Sequence, residues 1–251
     1  MTYKNNQKII VFANYNYLSI LENWLAAMKK ISVENYLIIS LDEELHLHLQ
    51  KLNIDSLFHP CELNLGKLWI HRINVILELM EKGYDILHSD ADAIWLKDPL
   101  PYLNTLSQDM IFSQGTIWPP DVQEKWGFVL CCGFFLLRSN PQTISFVKEL
   151  AKRVREDKDD QVSCNRLLLK EPVIWKEPSD IYTIDFRGTQ FTCSHQVRLG
   201  KSKNLNLALL PHIAFQRVFE ETNNVYVRHL ISEKTSDDIM KVLDRHGCKF
   251  I

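Results

Sequence analysis

The stretch GYDILHSDADAIWLKDP, residues 83–99, decides which fold the sequence predicts. Its apolar run ends at two aspartates separated by one residue, Asp90 and Asp92, and Trp95 and an Asp-Pro pair follow them. A buried strand that ends in carboxylates brings charged groups to the edge of a sheet, and open α/β sheets bind ligands at the carboxyl ends of their strands. The stretch therefore predicts a parallel strand with a polar site at its end.

The residues before this stretch alternate between strand and helix patterns. KIIVFAN and NYLIIS are apolar runs typical of buried strands, and DSLFHP is a shorter apolar segment. YLSILENWLAAMKK, LDEELHLHLQKL and GKLWIHRINVILELMEKG carry apolar residues at helical spacing. Strands that alternate with helices predict an α/β fold with a parallel, doubly wound sheet.

After Pro99 the pattern is less regular. MIFSQG and FVLCCGFFLLRS predict strands, TIWPPDVQEKWG predicts a long loop, and NPQTISFVKELAKRVRE predicts an amphipathic helix. NLALLP and NVYVRHLI predict short strands, and a last helix is expected from about Ser236. No repeat or linker divides the chain, so we expect one domain over residues 1–251.

The composition bounds the class of protein. With 251 residues, 46% of them hydrophobic, the chain is long enough to bury a core. The 29 basic and 31 acidic side chains give a net charge of -2, which predicts no nucleic-acid partner. Six cysteines without a CxxC pair favour reduced thiols. The opening MTYKNNQK lacks a signal-peptide core and no long apolar window occurs, so we expect a cytoplasmic protein without a transmembrane segment.

Asp90 and Asp92 are candidate metal ligands. Side chains at this spacing can both direct oxygens toward one cation, and hard divalent ions such as magnesium or manganese prefer oxygen ligands. A metal held by few carboxylates keeps positions for phosphate oxygens, which suits a nucleoside diphosphate. Two aspartates at a strand end also cap turns, so the pattern alone leaves a structural role open. Asp98 is expected to cap a helix that begins PLPYL.

The longer stretch GYDILHSDADAIWLKDPLPYL resembles the signature of nucleotide-diphospho-sugar transferases of the GT77 type. ANYNY with ENWL, CGFFLLRSNPQTISF, DDQVSCN and RHLISEKT resemble further blocks of that family in the same order, over about residues 9–234. The resemblance implies a GT-A fold, with a Rossmann-like, mostly parallel sheet flanked by helices. It also implies a nucleotide-sugar-binding half over about residues 1–100 and a less regular acceptor and catalytic half over about residues 101–251.

The family implies a metal-dependent, retaining glycosyltransferase. Such an enzyme moves a sugar from a nucleotide-sugar donor, expected to be UDP-linked, to a hydroxyl of a glycan or protein acceptor. Its cofactor is Mn²⁺, with Mg²⁺ as the alternative, and the family pattern assigns the metal to Asp90, Asp92 and His229. Without the resemblance, a single histidine such as His229 is more often structural.

The resemblance also assigns donor-binding and catalytic residues. Those expected to contact the nucleotide sugar are Ala13, Asn14, Tyr15, Arg72, Ser89, Asp90 and Ala91. The catalytic set is Asp160 and Gln161 beside the sugar, and Lys234 to neutralise the leaving diphosphate. The reaction proceeds either by same-face attack or through a covalent intermediate, and both routes stay open. The residues alone also allow Arg72 at the surface, Asp160 as a helix N-cap and Lys234 as a solvated lysine.

Two departures from the family pattern keep other functions open. Cys132 stands where the family has an asparagine before Gly-Phe, and the spacing from His229 to Lys234 is short. A catalytically silent sugar-nucleotide- or carbohydrate-binding domain is therefore one alternative, and a phosphohydrolase that uses Asp-x-Asp is another. The pair Cys131 and Cys132 is expected in the core. The tryptophans of TIWPPDVQEKWG predict either a platform for an acceptor sugar or a core edge.

Overall fold

The computed structural model describes residues 6–62, 64–231 and 235–251. In its N-terminal part, strands and helices alternate as the sequence predicts. These elements are β1 (Gln7–Ala13), α1 (Leu18–Lys30), β2 (Tyr36–Ser40), α2 (Glu43–Lys51), β3 (Ser56–Phe58), α3 (Leu65–Glu81) and β4 (Asp85–Ser89), with a 3₁₀ turn over Tyr15–Tyr17. Asp42, at the start of α2, caps that helix by accepting a hydrogen bond from the backbone N–H of Leu45.

The second part of the chain contributes shorter elements. They are β5 (Ile94–Trp95), α4 (Leu100–Leu103), β6 (Met110–Gln114), α5 (Pro120–Trp126), β7 (Leu130–Leu137), α6 (Pro141–Asp157), α7 (Asp160–Lys170), β8 (Ile174–Lys176), β9 (Ile181–Phe186), β10 (Thr189–Ser194), β11 (Arg198–Lys201), β12 (Asn206–Leu209), β13 (Phe215–Gln216), β14 (Val227–Arg228) and α8 (Ser236–Arg245). The expected cap before α4 forms, because Asp98 accepts a hydrogen bond from the N–H of Leu100 at 2.9 Å.

The long loop predicted for TIWPPDVQEKWG is wrong, because this segment contains α5. Pro120 lies in the first helical turn, where its missing N–H costs no hydrogen bond. Asp121 follows in the same turn, where a negative charge is favourable. Gly127 ends the helix with φ of 78°, a left-handed conformation that favours glycine. The prolines therefore mark the start of a helix.

A nine-stranded sheet in the order β3-β2-β1-β4-β7-β6-β12-β11-β8 organises the molecule. Strands β7 and β11 run antiparallel to their neighbours, and the other strands of this sheet share one direction. The sheet is therefore mostly parallel, as predicted, and it takes strands from both parts of the chain. A three-stranded sheet, β13-β14-β5, lies beside it.

Apolar layers cover both faces of the large sheet. Ile9 of β1 belongs to a buried cluster that includes Trp24 of α1, whereas its neighbour Ile10 belongs to a second cluster that includes Ile76 of α3. This split arises because successive side chains of a strand point to opposite faces. The predicted α/β class with flanking helices is confirmed. Within the described ranges, no helix is both long and apolar enough to cross a membrane.

The site lies where β4 ends. The chain turns sharply there, and the N–H of Ala93 donates to the carbonyl of Asp90 at 3.0 Å. The next strand, β5, pairs with β14 in a register that sets Ile94 opposite Arg228. His229 follows Arg228 directly, so this short pairing brings a late residue beside the aspartate turn.

Candidate functional site

Asp90, Asp92 and His229 form a cluster that suits a metal ion. One ligand atom from each lies within 4.8 Å of the others. Nε2 of His229 is 3.7 Å from Oδ2 of Asp90 and 3.3 Å from Oδ1 of Asp92. Two carboxylates and an imidazole are a donor set that suits a borderline divalent ion such as manganese. The structure thus brings together the two aspartates expected from the sequence and the histidine that the family resemblance implies.

The two oxygens of Asp90 have different surroundings. Oδ1 accepts a hydrogen bond from Nη1 of Arg72 at 2.8 Å and lies 3.0 Å from Nε2 of His88, whereas Oδ2 faces His229. Burial alone would raise the pKa of Asp90, but Arg72 and then His88 hold it well below its ordinary value. Asp90 is therefore ionised and oriented, with Oδ2 directed into the cluster.

Both the backbone and the ring of His229 make contacts that position it. Its N–H donates to the carbonyl of Gln216 at 2.8 Å, and its own carbonyl accepts from Nη1 of Arg217 at 2.6 Å. Nδ1 lies 3.7 Å from Sγ of Cys131. Burial and Arg217 would lower the pKa of His229, but Asp92 raises it to about 9. A cation at Nε2 would compete with this proton, so we would expect any metal binding here to strengthen as the pH rises.

Gly133 of β7 keeps the space beside the cluster open. A Cβ atom at this position would lie 2.1 Å from Cε1 of His229 and 2.6 Å from Oδ2 of Asp90. Its carbonyl also accepts a hydrogen bond from the N–H of Asp90 at 2.7 Å. Any larger residue would therefore displace two of the three candidate ligands, and only glycine allows this close approach of the backbone.

Arg72 and Asp160 form a buried ion pair behind the aspartate turn. Arg72 is 3% exposed and Asp160 is 2% exposed. Nε of Arg72 donates to Oδ2 of Asp160 at 2.7 Å, and Nη2 donates to the same oxygen. Burial raises the pKa of Asp160 to about 6, although Arg72 opposes this rise. The surface position considered for Arg72 is wrong, because its guanidinium joins Asp160 to Asp90.

Asp160 is not the N-cap of α7, so that structural alternative is wrong. The cap is Asp159, whose Oδ1 accepts from the N–H of Val162 at 2.9 Å. The sequence EDKDD does not show which of its last two aspartates caps the helix, because that depends on which side chain faces the interior. Asp160 is therefore left for the ion pair.

Gln161 connects β7 to the loop before α5. Its Oε1 accepts from the N–H of Cys132 at 3.2 Å, and its Nε2 donates to the carbonyl of Trp118 at 2.9 Å. Four residues later, Asn165 binds both backbone groups of Leu130, at 2.8 Å each. The Asp-Gln-x-x-x-Asn pattern thus holds α7 against the strand that carries Gly133. Cys131 and Cys132 are buried as expected, and Cys131 also faces His229.

The donor-binding residues predicted at the end of β1 lie beside α2. The carbonyl of Ala13 accepts from the N–H of Leu41 at 2.9 Å, and the N–H of Tyr15 donates to Asp42 at 2.9 Å. Oδ1 of Asn14 is buried and has no hydrogen-bond partner among the described residues. This oxygen is therefore an unsatisfied buried acceptor at the end of β1.

Ser89 and Ala91 are buried at the end of β4. The hydroxyl of Ser89 accepts from Nε1 of Trp95 at 3.1 Å and donates to the carbonyl of Asp90 at 3.1 Å. These bonds occupy the Ser89 hydroxyl and stabilise the turn. Lys234, the third predicted catalytic residue, lies outside the described residues.

Four residues of this site were not predicted from the sequence: Tyr17, His88, Gly133 and Arg217. Tyr17 follows β1, and burial together with Asp92 and Asp90 raises its pKa to about 12. His88 sits two residues before Asp90 in an apolar strand, which was a usable signal because a buried histidine needs a partner. The role of Arg217 arises from a long-range turn that no local pattern reveals.

Residues 31–237 match the family model described as nucleotide-diphospho-sugar transferase, so the chain belongs to that family. The beta-arabinofuranosyltransferase RAY1 of Arabidopsis thaliana is 24% identical over 162 residues, which cover 59% of this chain and 30% of that relative. The UDP-galactose:fucoside alpha-3-galactosyltransferase of Dictyostelium discoideum is 25% identical over 206 residues, covering 66% of this chain and 31% of that relative.

The chain therefore spans less than a third of the length of these relatives. Among solved structures, the galactosyltransferase LgtC in complex with donor and acceptor sugar analogs is similar, with a TM-score of 0.45 and 14% identity over 64% of this chain and 70% of that chain. The family predicted from the sequence is confirmed, and the match does not support the phosphohydrolase alternative.

Proposed function

We propose that the protein is a metal-dependent, retaining glycosyltransferase that moves a sugar from a UDP-sugar to a hydroxyl of a glycan or of a glycosylated protein. The observation that carries this proposal is the convergence of Asp90, Asp92 and His229 at the end of β4, in a chain of the nucleotide-diphospho-sugar transferase family. This position is the edge at which open α/β sheets bind nucleotides.

The cluster would hold Mn²⁺ or Mg²⁺ through Oδ2 of Asp90, a carboxylate oxygen of Asp92 and Nε2 of His229. When bound, such a cation supplies positive charge that stabilises a departing diphosphate. Arg72 and His88 keep Asp90 ionised and fix its rotamer from the inner side. Gly133 leaves the room that the ligand side chains need.

Asp160 is the best-placed carboxylate for a role at the sugar. Both bonds from Arg72 end on Oδ2, so Oδ1 stays outside the ion pair. We propose that Oδ1 stabilises the positive charge that develops at the anomeric carbon during transfer. Gln161 holds its neighbours through both ends of its amide, so its proposed role is to position the site.

The donor sugar is proposed from the names of the relatives. RAY1 is a beta-arabinofuranosyltransferase, and the Dictyostelium relative transfers galactose from UDP-galactose to a fucoside. We therefore propose UDP-arabinofuranose or UDP-galactose as the donor. Asn14 and Tyr15 at the end of β1 are the residues proposed to meet the nucleotide.

A donor panel tests this function. UDP-galactose, UDP-arabinofuranose, UDP-xylose, UDP-glucose and GDP-mannose are each titrated by calorimetry with Mn²⁺ and with EDTA, and the release of free nucleotide is followed in parallel. We expect one UDP-sugar to bind only with Mn²⁺ and to be hydrolysed slowly without acceptor. Binding without any turnover would favour the silent-domain alternative, and no binding by any donor would contradict the proposal.

A further inference from the structure

Trp118 is exposed in a molecule that buries its other tryptophans wholly or in part. The chain has six tryptophans, and Trp118 alone is exposed, with 55% of its surface accessible. It stands at the start of the segment that leads into α5, whose solvent-facing side chains are charged: Asp121, Glu124 and Lys125. A large aromatic ring that stays in water within a polar surface does not contribute the free energy of burial to folding, so it is a candidate for contact with a ligand.

The backbone of Trp118 is attached directly to the proposed site. Its carbonyl accepts from Nε2 of Gln161 at 2.9 Å, and Oε1 of the same amide accepts from the N–H of Cys132 at 3.2 Å. Cys132 precedes Gly133, which lies against His229. Gln161 also follows Asp160, the carboxylate of the buried ion pair. The side chain of Gln161 therefore links the backbone of Trp118 to β7, the strand that carries Gly133. The backbone of Gln161 in turn follows that of Asp160, the proposed catalytic carboxylate.

The segment after Trp118 is fastened at two further points. Arg166 of α7 binds Asp121 with both ends of its guanidinium, at 2.9 and 3.2 Å. Nε2 of Gln123 donates to the carbonyl of Gln190 in β10 at 2.8 Å. These contacts fix the backbone of the segment against α7 and β10, so the position from which the ring projects is set before any ligand arrives. Such preorganisation lowers the ordering cost of binding.

We propose that the ring of Trp118 is the stacking platform for the acceptor, and that the acceptor presents a pyranose ring with an apolar C–H face. The inference rests on the proposed function and adds the chemical class of the acceptor. An indole ring offers an apolar face and a polar N–H, which suits a ligand that carries both apolar and polar surface. A protein partner would require a much larger apolar surface than one ring among charged side chains.

The test compares Trp118→Ala and Trp118→Phe with a control, Ile174→Ala, which removes an exposed apolar side chain from the edge strand β8. Each protein is given Mn²⁺ and the donor found to be hydrolysed, with methyl glycosides of fucose, galactose, xylose and glucose as acceptors. The ratio of sugar transfer to donor hydrolysis is measured, and glycoside binding is followed separately by saturation-transfer NMR.

We expect Trp118→Ala to lower the transfer-to-hydrolysis ratio about tenfold and to weaken glycoside binding by a similar factor. Trp118→Phe keeps an aromatic face and is expected to recover most of both, while Ile174→Ala behaves as wild type. The inference is overturned if Trp118→Ala transfers and binds like wild type, if no glycoside binds the wild-type protein, or if the variant loses only self-association. Failure of the proposed function is distinct, because it is the absence of metal-dependent donor binding.

Discussion

Arg72 and Asp160 are 88 residues apart in the sequence and meet in a buried ion pair, with Nε of Arg72 2.7 Å from Oδ2 of Asp160. The same guanidinium donates to Oδ1 of Asp90 at 2.8 Å. One side chain on α3 therefore fixes both the proposed metal ligand at the end of β4 and the proposed catalytic carboxylate at the start of α7. The planar guanidinium of Arg72 therefore sets the distance between the carboxylates of Asp90 and Asp160.

Asp160→Ala should destabilise the fold strongly. It leaves a buried arginine short of its main partner, and removal of one member of a buried pair costs about 3–5 kcal/mol. Asp121→Ala breaks the exposed Asp121–Arg166 pair instead and is expected to cost about 1 kcal/mol or less. Urea denaturation of both variants measures the free energies of unfolding. Equal, small losses would show that Arg72 does not depend on Asp160.

Gly133→Ala should weaken metal binding while β7 stays folded. The new Cβ would overlap the ring of His229 at 2.1 Å, so the imidazole must leave the cluster. The control is Gly188→Ala, at a turn with φ of 80° and open space around it, where only backbone strain is introduced. Calorimetric titration with Mn²⁺ should show affinity at least about tenfold weaker for Gly133→Ala alone. Unchanged affinity would remove His229 from the ligand set.

His212 should affect metal affinity although it is not one of the proposed metal ligands. Its Nε2 accepts from the N–H groups of Arg217 and Val218 at 3.2 Å each, and Arg217 in turn holds the carbonyl of His229. We expect His212→Ala to weaken Mn²⁺ binding by about 10- to 100-fold, the range for residues that orient ligands.

Two further variants separate positioning by His212 from a general loss of structure. His212→Gln retains an acceptor for these N–H groups and should recover part of the Mn²⁺ affinity. The control His46→Ala, on α2, should bind Mn²⁺ as wild type does. A circular dichroism spectrum like that of the wild type together with full affinity in His212→Ala would contradict the assignment.

Glu220 should contribute a pH-dependent part of the stability. Oε1 of Glu220 accepts from Tyr182 at 2.8 Å and lies 2.5 Å from Nδ1 of His212. Burial alone would raise its pKa, but these hydrogen bonds lower it below the ordinary glutamate value of about 4.3. An acid with a lowered folded pKa stabilises the protein above its unfolded pKa, and this contribution is lost as the pH falls through the folded pKa.

Glu220→Gln removes that titration. The free energy of unfolding of the wild type should therefore exceed that of the variant at neutral pH, and the difference should shrink as the pH falls below about 4. Urea denaturation across this range measures it. A difference that stays constant on acidification would mean that Glu220 is not ionised in a stabilising contact.

Much of the fold could be predicted because its helices and strands carry clear periodicity. The alternation of Ile9, Ile10 and Val11 and the apolar stripe of α3 reflect the two buried layers directly. The hairpin β9–β10 was not predicted, because its turn is Arg187-Gly188, both with positive φ, and lacks the common Asn-Gly signal. α5 was missed because Pro119 and Pro120, at its start, were interpreted as loop residues.

The site could be predicted in part. Asp90 and Asp92 lie one residue apart in the sequence, and the family pattern added His229 and Asp160. The pairing of Arg72 with Asp160, the choice between Asp159 and Asp160, and the support of His229 by Arg217 depend on tertiary contacts. Local sequence carries no record of such contacts, so those relationships required the structure.

The central claim is that the cluster holds a metal through which the protein binds its nucleotide. Calorimetry of UDP binding to wild type and to Asp92→Ala, each with Mn²⁺ and with EDTA, tests this claim most directly, with circular dichroism to verify folding. The account predicts Mn²⁺-dependent binding of UDP by the wild type and none by the folded variant. Equal affinity of the two proteins for UDP in Mn²⁺ would contradict it.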